Sequence, residues 1–180
     1  DDVESRGLGD VYKRQVIKIM NLTKKNKILY LVTLILVVGG DLFTKHLVSS
    51  SMLLGQSHEI INNFFYFTYA HNTGVAWGMF AGKLGLFIVV AIIAAVVMIV
   101  FFRKTKSEEV LTRFGLVLTF GGMIGNLVDR IFLGYVRDFI DVIIFNYNFP
   151  IFNIADMAVV IGVALIIVEI VFEEYIHGKN

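Results

Sequence analysis

The chain has no cysteine and a single proline in 180 residues. Without thiols there is no disulfide, no thiolate metal centre, no cysteine nucleophile and no lipidation of the chain itself. One proline rules out a proline-rich linker protein. Charge is also scarce: 17% of residues are charged and the net charge is +1. That leaves no basic field for nucleic acid and no acidic excess of a disordered tail. What fills the gap is apolar, at 57% hydrophobic residues with a mean hydropathy of +0.75. Soluble domains are about half apolar and about a quarter charged, so this composition belongs to an integral membrane protein.

A helical span needs about 20 mostly apolar residues. The sequence offers such runs at about 28–48, 84–102, 114–133 and 156–173. They are continuous rather than alternating, which favours helices over a closed barrel. Lys24, Lys25 and Lys27 precede the first run, and Arg103, Lys104, Lys106 and Arg113 fill the link between the second and third. The positive-inside rule then places both termini in the cytoplasm and the two other connections outside. The first of these, about 49–83, contains Ile60-Ile-Asn-Asn-Phe-Phe-Tyr-Phe-Thr-Tyr69, a strand-like composition. A small β-sheet on the outer face is expected there, with Trp77, Phe80 and the tyrosines at headgroup level. The fold class is therefore a mainly α membrane protein of four transmembrane helices. Residues 1–19 are polar and unlike a signal peptide, and Met20-Asn-Leu-Thr-Lys-Lys reads as a natural start. The expected organisation is a non-native or disordered leader over 1–19 and one membrane domain over 20–180.

Polar residues within or beside spans mark function. Asp41 and Lys45 lie four apart on one helix face and can pair. Asn126, Asp129 and Arg130 share a face at the end of the third run. Asp138 and Asp141 follow, then Asn153 and Asp156 just before the fourth run. Given the topology, these groups converge near the outer boundary. Glu169 stands apart near the inner end, where it can snorkel.

Several chemistries lack their residues. The serines at 49, 50, 51 and 57 sit in no Gly-x-Ser-x-Gly turn, although a Ser–Lys pair with Lys45 or Lys83 stays open. His58-Glu-Ile-Ile-Asn62 misses the second histidine of a zinc helix. Gly7-Leu-Gly-Asp10 lies in the polar leader, away from any span. Carboxylates remain. Two aspartates in a low-dielectric site share a proton, and such a dyad can activate water and protonate a peptide carbonyl. Asp138 and Asp156 flank the same connection and are the natural pair. On residue chemistry alone, a helix-dipole role for Asp156, a salt bridge from Asp138 to Arg130 or Arg137, and a transport or proton-relay function all stay open.

Five blocks narrow the choice. They are Asp41-Leu-Phe-Thr-Lys45, Asn72-Thr-Gly-Val-Ala-Trp-Gly78, Gly121-Gly-Met-Ile-Gly-Asn126-Leu-Val-Asp129-Arg130, Gly134-Tyr-Val-Arg-Asp138-Phe and Phe152-Asn-Ile-Ala-Asp156. In order and spacing they resemble lipoprotein signal peptidase, also called signal peptidase II. The resemblance covers the chain from about Met20 onward. It implies an aspartic endopeptidase of the bacterial cytoplasmic (inner) membrane. Such an enzyme removes signal peptides from prolipoproteins on the amino side of a diacylglyceryl-cysteine. It implies Asp138 and Asp156 as the catalytic dyad, and Asn72, Asn126, Arg130 and Asn153 as groups that orient dyad and substrate. Asp41, Lys45, Gly74, Gly125, Asp129 and Ala155 take supporting positions. The resemblance further implies no cofactor or metal, membrane lipids as surroundings, globomycin-type inhibitors as ligands, a mobile part of the first outer connection, and a monomer.

Overall fold

The computed structural model describes residues 2–74 and 84–177, with the side chains of 26–74, 85–172 among them. Trp77, Gly78, Phe80 and Lys83 lie outside the described residues. Helices α1 (Asp2–Ser51), α2 (Leu84–Lys104), α3 (Val110–Leu133) and α4 (Ile154–His177) carry the four apolar segments, Asn26–Ser51, Gly85–Lys104, Val110–Leu133 and Ile154–Phe172. Their outer surfaces expose Val89, Ile93, Val97, Val160 and Ile167, as expected where lipid rather than water is the neighbour.

Helix α3 is the hub. It runs parallel to α1, with Gly121 against Val37 and Gly125 against Asp41. It runs antiparallel to α4, with Gly115 against Gly162 and Gly122 against Ala155. Small residues let these backbones meet, which is how helices associate without a hydrophobic drive. A Cβ on Gly122 would collide with the Ala155 carbonyl. Gly122→Ala is therefore expected to push away the first turn of α4, lowering thermal stability in detergent by several degrees. Gly39 faces open space, so Gly39→Ala should leave that stability unchanged.

Glu169 finds a partner on the neighbouring helix. Its carboxylate accepts from the Thr112 backbone N–H at 2.5 Å, satisfying a first-turn donor of α3 from the neighbouring helix.

Four strands form one antiparallel sheet in the order β1 (Ser57–Ile61), β2 (Phe65–Asn72), β3 (Val136–Ile144), β4 (Tyr147–Asn148). The first connection supplies only half of it. The other half comes from the connection between α3 and α4, whose run Val136-Arg-Asp-Phe-Ile-Asp-Val-Ile-Ile144 pairs with β2. Helix α3 ends on Gly134, in the left-handed region at φ 82°, with its N–H on the Arg130 carbonyl at 3.1 Å. Glycine adopts that conformation without strain, and the chain turns directly into β3. The Phe152 carbonyl then accepts from the N–H groups of Phe139 (3.0 Å) and Ile140 (2.8 Å). That contact lays the segment before α4 alongside β3.

Candidate active site

The last of these contacts brings Asn153 and Asp156 beside Asp138. Asn153 caps α4: its Oδ1 accepts from Asp156 N–H at 3.0 Å, while Asp156 Oδ2 accepts from Asn153 N–H at 3.2 Å. This is a reciprocal capping box. The carboxylate of Asp41, from α1, accepts from Ala155 N–H at 2.9 Å. Three polar side chains thus satisfy three backbone donors at one helix start. The helix-end role open for Asp156 from sequence is real, and it orients the carboxyl group rather than occupying it fully.

The Asp156 Oδ1 accepts from Asn126 Nδ2 at 2.7 Å. Asn126 Oδ1 in turn accepts from Lys45 Nζ at 2.9 Å and from Asn153 Nδ2 at 3.1 Å. Asn153 Nδ2 also donates to Asp138 Oδ1 at 2.6 Å, and Asn72 Nδ2 donates to Asp138 Oδ2 at 2.9 Å. Each amide has one orientation because of an obligate partner. Lysine only donates, so the Asn126 oxygen faces Lys45. The backbone N–H of Asp156 fixes the Asn153 oxygen, and that of Gly74 fixes the Asn72 oxygen at 3.0 Å. Three asparagines from three elements therefore link Asp138 and Asp156 in one network. Each carboxylate is held by two donors.

Below this layer lies a charge cluster. Lys45 and Asp41 pair at 2.7 Å, as their spacing predicts, and both are fully buried. Lys45 also reaches Asp129 at 3.7 Å. Asp129 is clamped by Arg137: Nη2 at 2.7 Å, Nε at 3.2 Å and the backbone N–H at 3.0 Å. Arg137 extends to Ser49 Oγ at 3.2 Å, tying β3 to the end of α1. The Asp129 hydrogen bond pushes the already high Arg137 pKa further up.

A salt bridge from Asp138 to Arg130 or Arg137 was open from the sequence, and among the described residues neither forms; Arg130 makes no ion pair there. It donates to the Gly74 carbonyl at 3.1 Å and the Asn126 carbonyl at 3.5 Å, with its guanidinium over the Phe87 ring at 4.9 Å. Arg137 pairs with Asp129 instead. Strand alternation was the available signal, because it sends Arg137 and Asp138 to opposite faces of β3.

Asp138 is buried, and burial is the main reason its pKa rises from 3.8 to about 7. The amide of Asn72 works against this rise and the charge of Asp156 adds to it. A carboxyl group that keeps its proton near neutrality beside a second, half-buried carboxylate can exchange protons with water and with a carbonyl. A cleft of about 460 Å³ leads to the site, lined by Phe87, Ala91, Ala94, Met123, Asn126 and Arg130 among others. Its walls are mostly apolar, and Asn126 and Arg130 bring it to the edge of the site.

Residues 31–172 match the family model for signal peptidase (SPase) II. The chain belongs to the signal peptidase II family. This peptidase is 38% identical over 146 residues to a lipoprotein signal peptidase of Staphylococcus haemolyticus (strain JCSC1435), covering 78% of this chain and 92% of that one. It is 41% identical over 136 residues to one from Staphylococcus aureus (strain JH9), covering 76% and 83%. Two solved bacterial membrane enzymes share the fold. One matches with TM-score 0.78 and 37% identity over 84% of this chain and 91% of that one. The other matches with TM-score 0.73 and 39% identity over 78% and 91%. The peptidase is thus a multi-pass membrane hydrolase of this family.

Proposed function

We propose that this peptidase removes the signal peptide from diacylglyceryl-modified bacterial prolipoproteins, cutting on the amino side of the lipidated cysteine. The observation that carries the reading is the pair of carboxylates in one asparagine network, one of them buried with its pKa near 7. In the resting dyad one carboxyl group is protonated and the other charged. The charged member takes a proton from water, and the oxygen attacks the scissile carbonyl carbon. The protonated member gives its proton to the carbonyl oxygen, forming a tetrahedral diol. Collapse of the diol breaks the C–N bond, and a dyad proton passes to the departing cysteine nitrogen. Asn72, Asn126 and Asn153 hold the carboxyl groups at fixed angles, and Arg130 meets the substrate backbone at the cleft. Gly125 gives room for Asp41, and Ala155 presents the N–H that Asp41 accepts. Asp41, Lys45 and Asp129 brace the helices beneath.

The basic residues at 24–27 and 103–113 favour cytoplasmic termini, which places the site at the outer boundary of the cytoplasmic membrane. There a signal helix can stay in lipid with its diacylglycerol chains while its cleavage point meets water. A single chain carries every part of this mechanism, so the working unit is a monomer. Globomycin-type cyclic peptides block it by occupying the dyad.

Purified protein in detergent, given a diacylglyceryl-modified prolipoprotein, is expected to produce the gel shift of signal-peptide loss, and globomycin is expected to stop it. A folded protein that left the substrate uncut would overturn the reading, and ion flux in liposomes would then test the transport alternative.

The pH dependence follows from Asp138. Above about pH 7 it loses the proton the dyad needs, so kcat/KM should fall by up to about tenfold per unit. A rate that still climbed through pH 9 would contradict this. Stability follows the same sign. The folded pKa is raised above 3.8, so the folded state binds the proton more tightly. That contribution is whole below about pH 4 and is lost as pH rises toward 7. Asp138→Asn should therefore gain in thermal stability relative to wild type between pH 5 and pH 8.

A further inference from the structure

The sheet has two unlike ends. At one end the pairs Asn72↔Val136 and Ala70↔Asp138 open into the polar site. At the other, Phe65 pairs with Val142, the Phe64 carbonyl accepts from Ile143 N–H at 2.9 Å, and two hairpin tips lie side by side. From these tips Ile60, Ile61, Phe64, Ile144, Phe145 and Phe149 are exposed. The segments that supply them, residues 60–70 and 142–153, contain no charged residue.

Phe145 is the telling position. It is 100% exposed, and its φ is 50°, followed by 62° at Asn146. Ile144 and Tyr147 pair around these two residues, a tight hairpin turn that requires positive φ at both centres. Asparagine and glycine suit such positions, whereas phenylalanine is strained there. In water this side chain would be unfavourable twice over, in its backbone and in its exposed ring. Lipid removes the second penalty.

The chain on both sides of β3 and β4 also joins spanning helices at exposed apolar turns. Phe132 and Leu133 close α3 before the sheet begins, and Met157 and Val160 open α4 after it; all four are exposed. Only four residues separate Phe149 from Ile154, so Phe149 lies within about 17 Å of the start of a spanning helix.

We infer that this distal rim, led by Phe145, inserts into the lipid interface and anchors the sheet beside the bundle. The partner is the acyl–headgroup boundary of the bilayer. Because the rim is uncharged, insertion needs no anionic lipid. The inference stands independently of the peptidase chemistry.

The absence of cysteine makes the test direct. Phe145→Cys and, as a comparison on the edge strand, Ser57→Cys each give one labelling site for an environment-sensitive fluorophore. The full-length protein would be reconstituted in phosphatidylcholine vesicles with or without doxyl-labelled lipid. The probe at 145 is expected to emit at shorter wavelength than the probe at 57. It should lose most of its intensity to lipid-borne doxyl and little to aqueous iodide. Quenching at 145 by iodide but not by doxyl lipid would overturn the inference. So would shielding from both quenchers that grew with protein density, since a second protein would then cover the rim.

Discussion

Asp138→Asn and Asp156→Asn are each expected to lower prolipoprotein cleavage by about a thousandfold or more while leaving a folded membrane protein. The loss follows from the chemistry, since an amide neither takes a proton from water nor gives one to a carbonyl, and general acid–base groups contribute about 10²–10⁴ each. The survival of the fold follows from the hydrogen bonds. Asp156 accepts from Asn126 Nδ2 and Asn153 N–H, and an asparagine oxygen can still accept one of them. One lost bond costs about 1 kcal/mol. At 138 the amides of Asn72 and Asn153 face the same arithmetic. Rates come from the gel-shift assay, and folding from thermal unfolding in the same detergent. Turnover within tenfold of wild type in either variant would remove that aspartate from the mechanism. The double variant should be no slower than the slower single one, because the two carboxyl groups act as a unit.

Lys45→Met is expected to destabilise the protein by about 3–5 kcal/mol. Lys45 is fully buried, pairs with Asp41 and lies 3.7 Å from Asp129. Without it, Asp41 has no cation beside it among the described residues, while Asp129 keeps Arg137. Asn126 also loses one of the two donors that orient its amide toward Asp156 and keeps only Asn153 Nδ2. Activity should therefore fall with stability. Asp41→Asn together with Lys45→Met separates the causes. It removes the stranded charge but keeps an oxygen for Ala155 N–H, so stability should recover in large part. Activity should recover less, because Asn126 is still without its lysine. Equal recovery of both would mean that Lys45 acts through stability alone.

The four helices were legible because a span is a local property of composition and length: about 20 apolar residues suffice, and no distant contact is needed. The Asp41–Lys45 pair was legible for a similar reason, since one helix turn fixes which residues stack. Arg137 and Glu169 show where this reasoning ends. Arg137 binds Asp129 across a helix-to-strand turn, and Glu169 reaches Thr112 from another helix. Neither contact follows from spacing within one element. The sheet was half legible. The aromatic run at 60–69 announced strands, but the partner strand comes from 64 or more residues later, and register depends on that pairing.

The sequence by itself determined the solvent, the number of spans and the chemical type of the site, because these depend on which residues are present and how far apart they lie. Tertiary structure decided which donors each carboxyl group receives. It set Phe152 beside Ile140, and with that Asn153 against Asp138 and Asn126 against Asp156. A hydrogen bond requires atoms within about 3 Å at a fixed angle, and that precision comes only from the packing of α1, α3, α4 and β3 together.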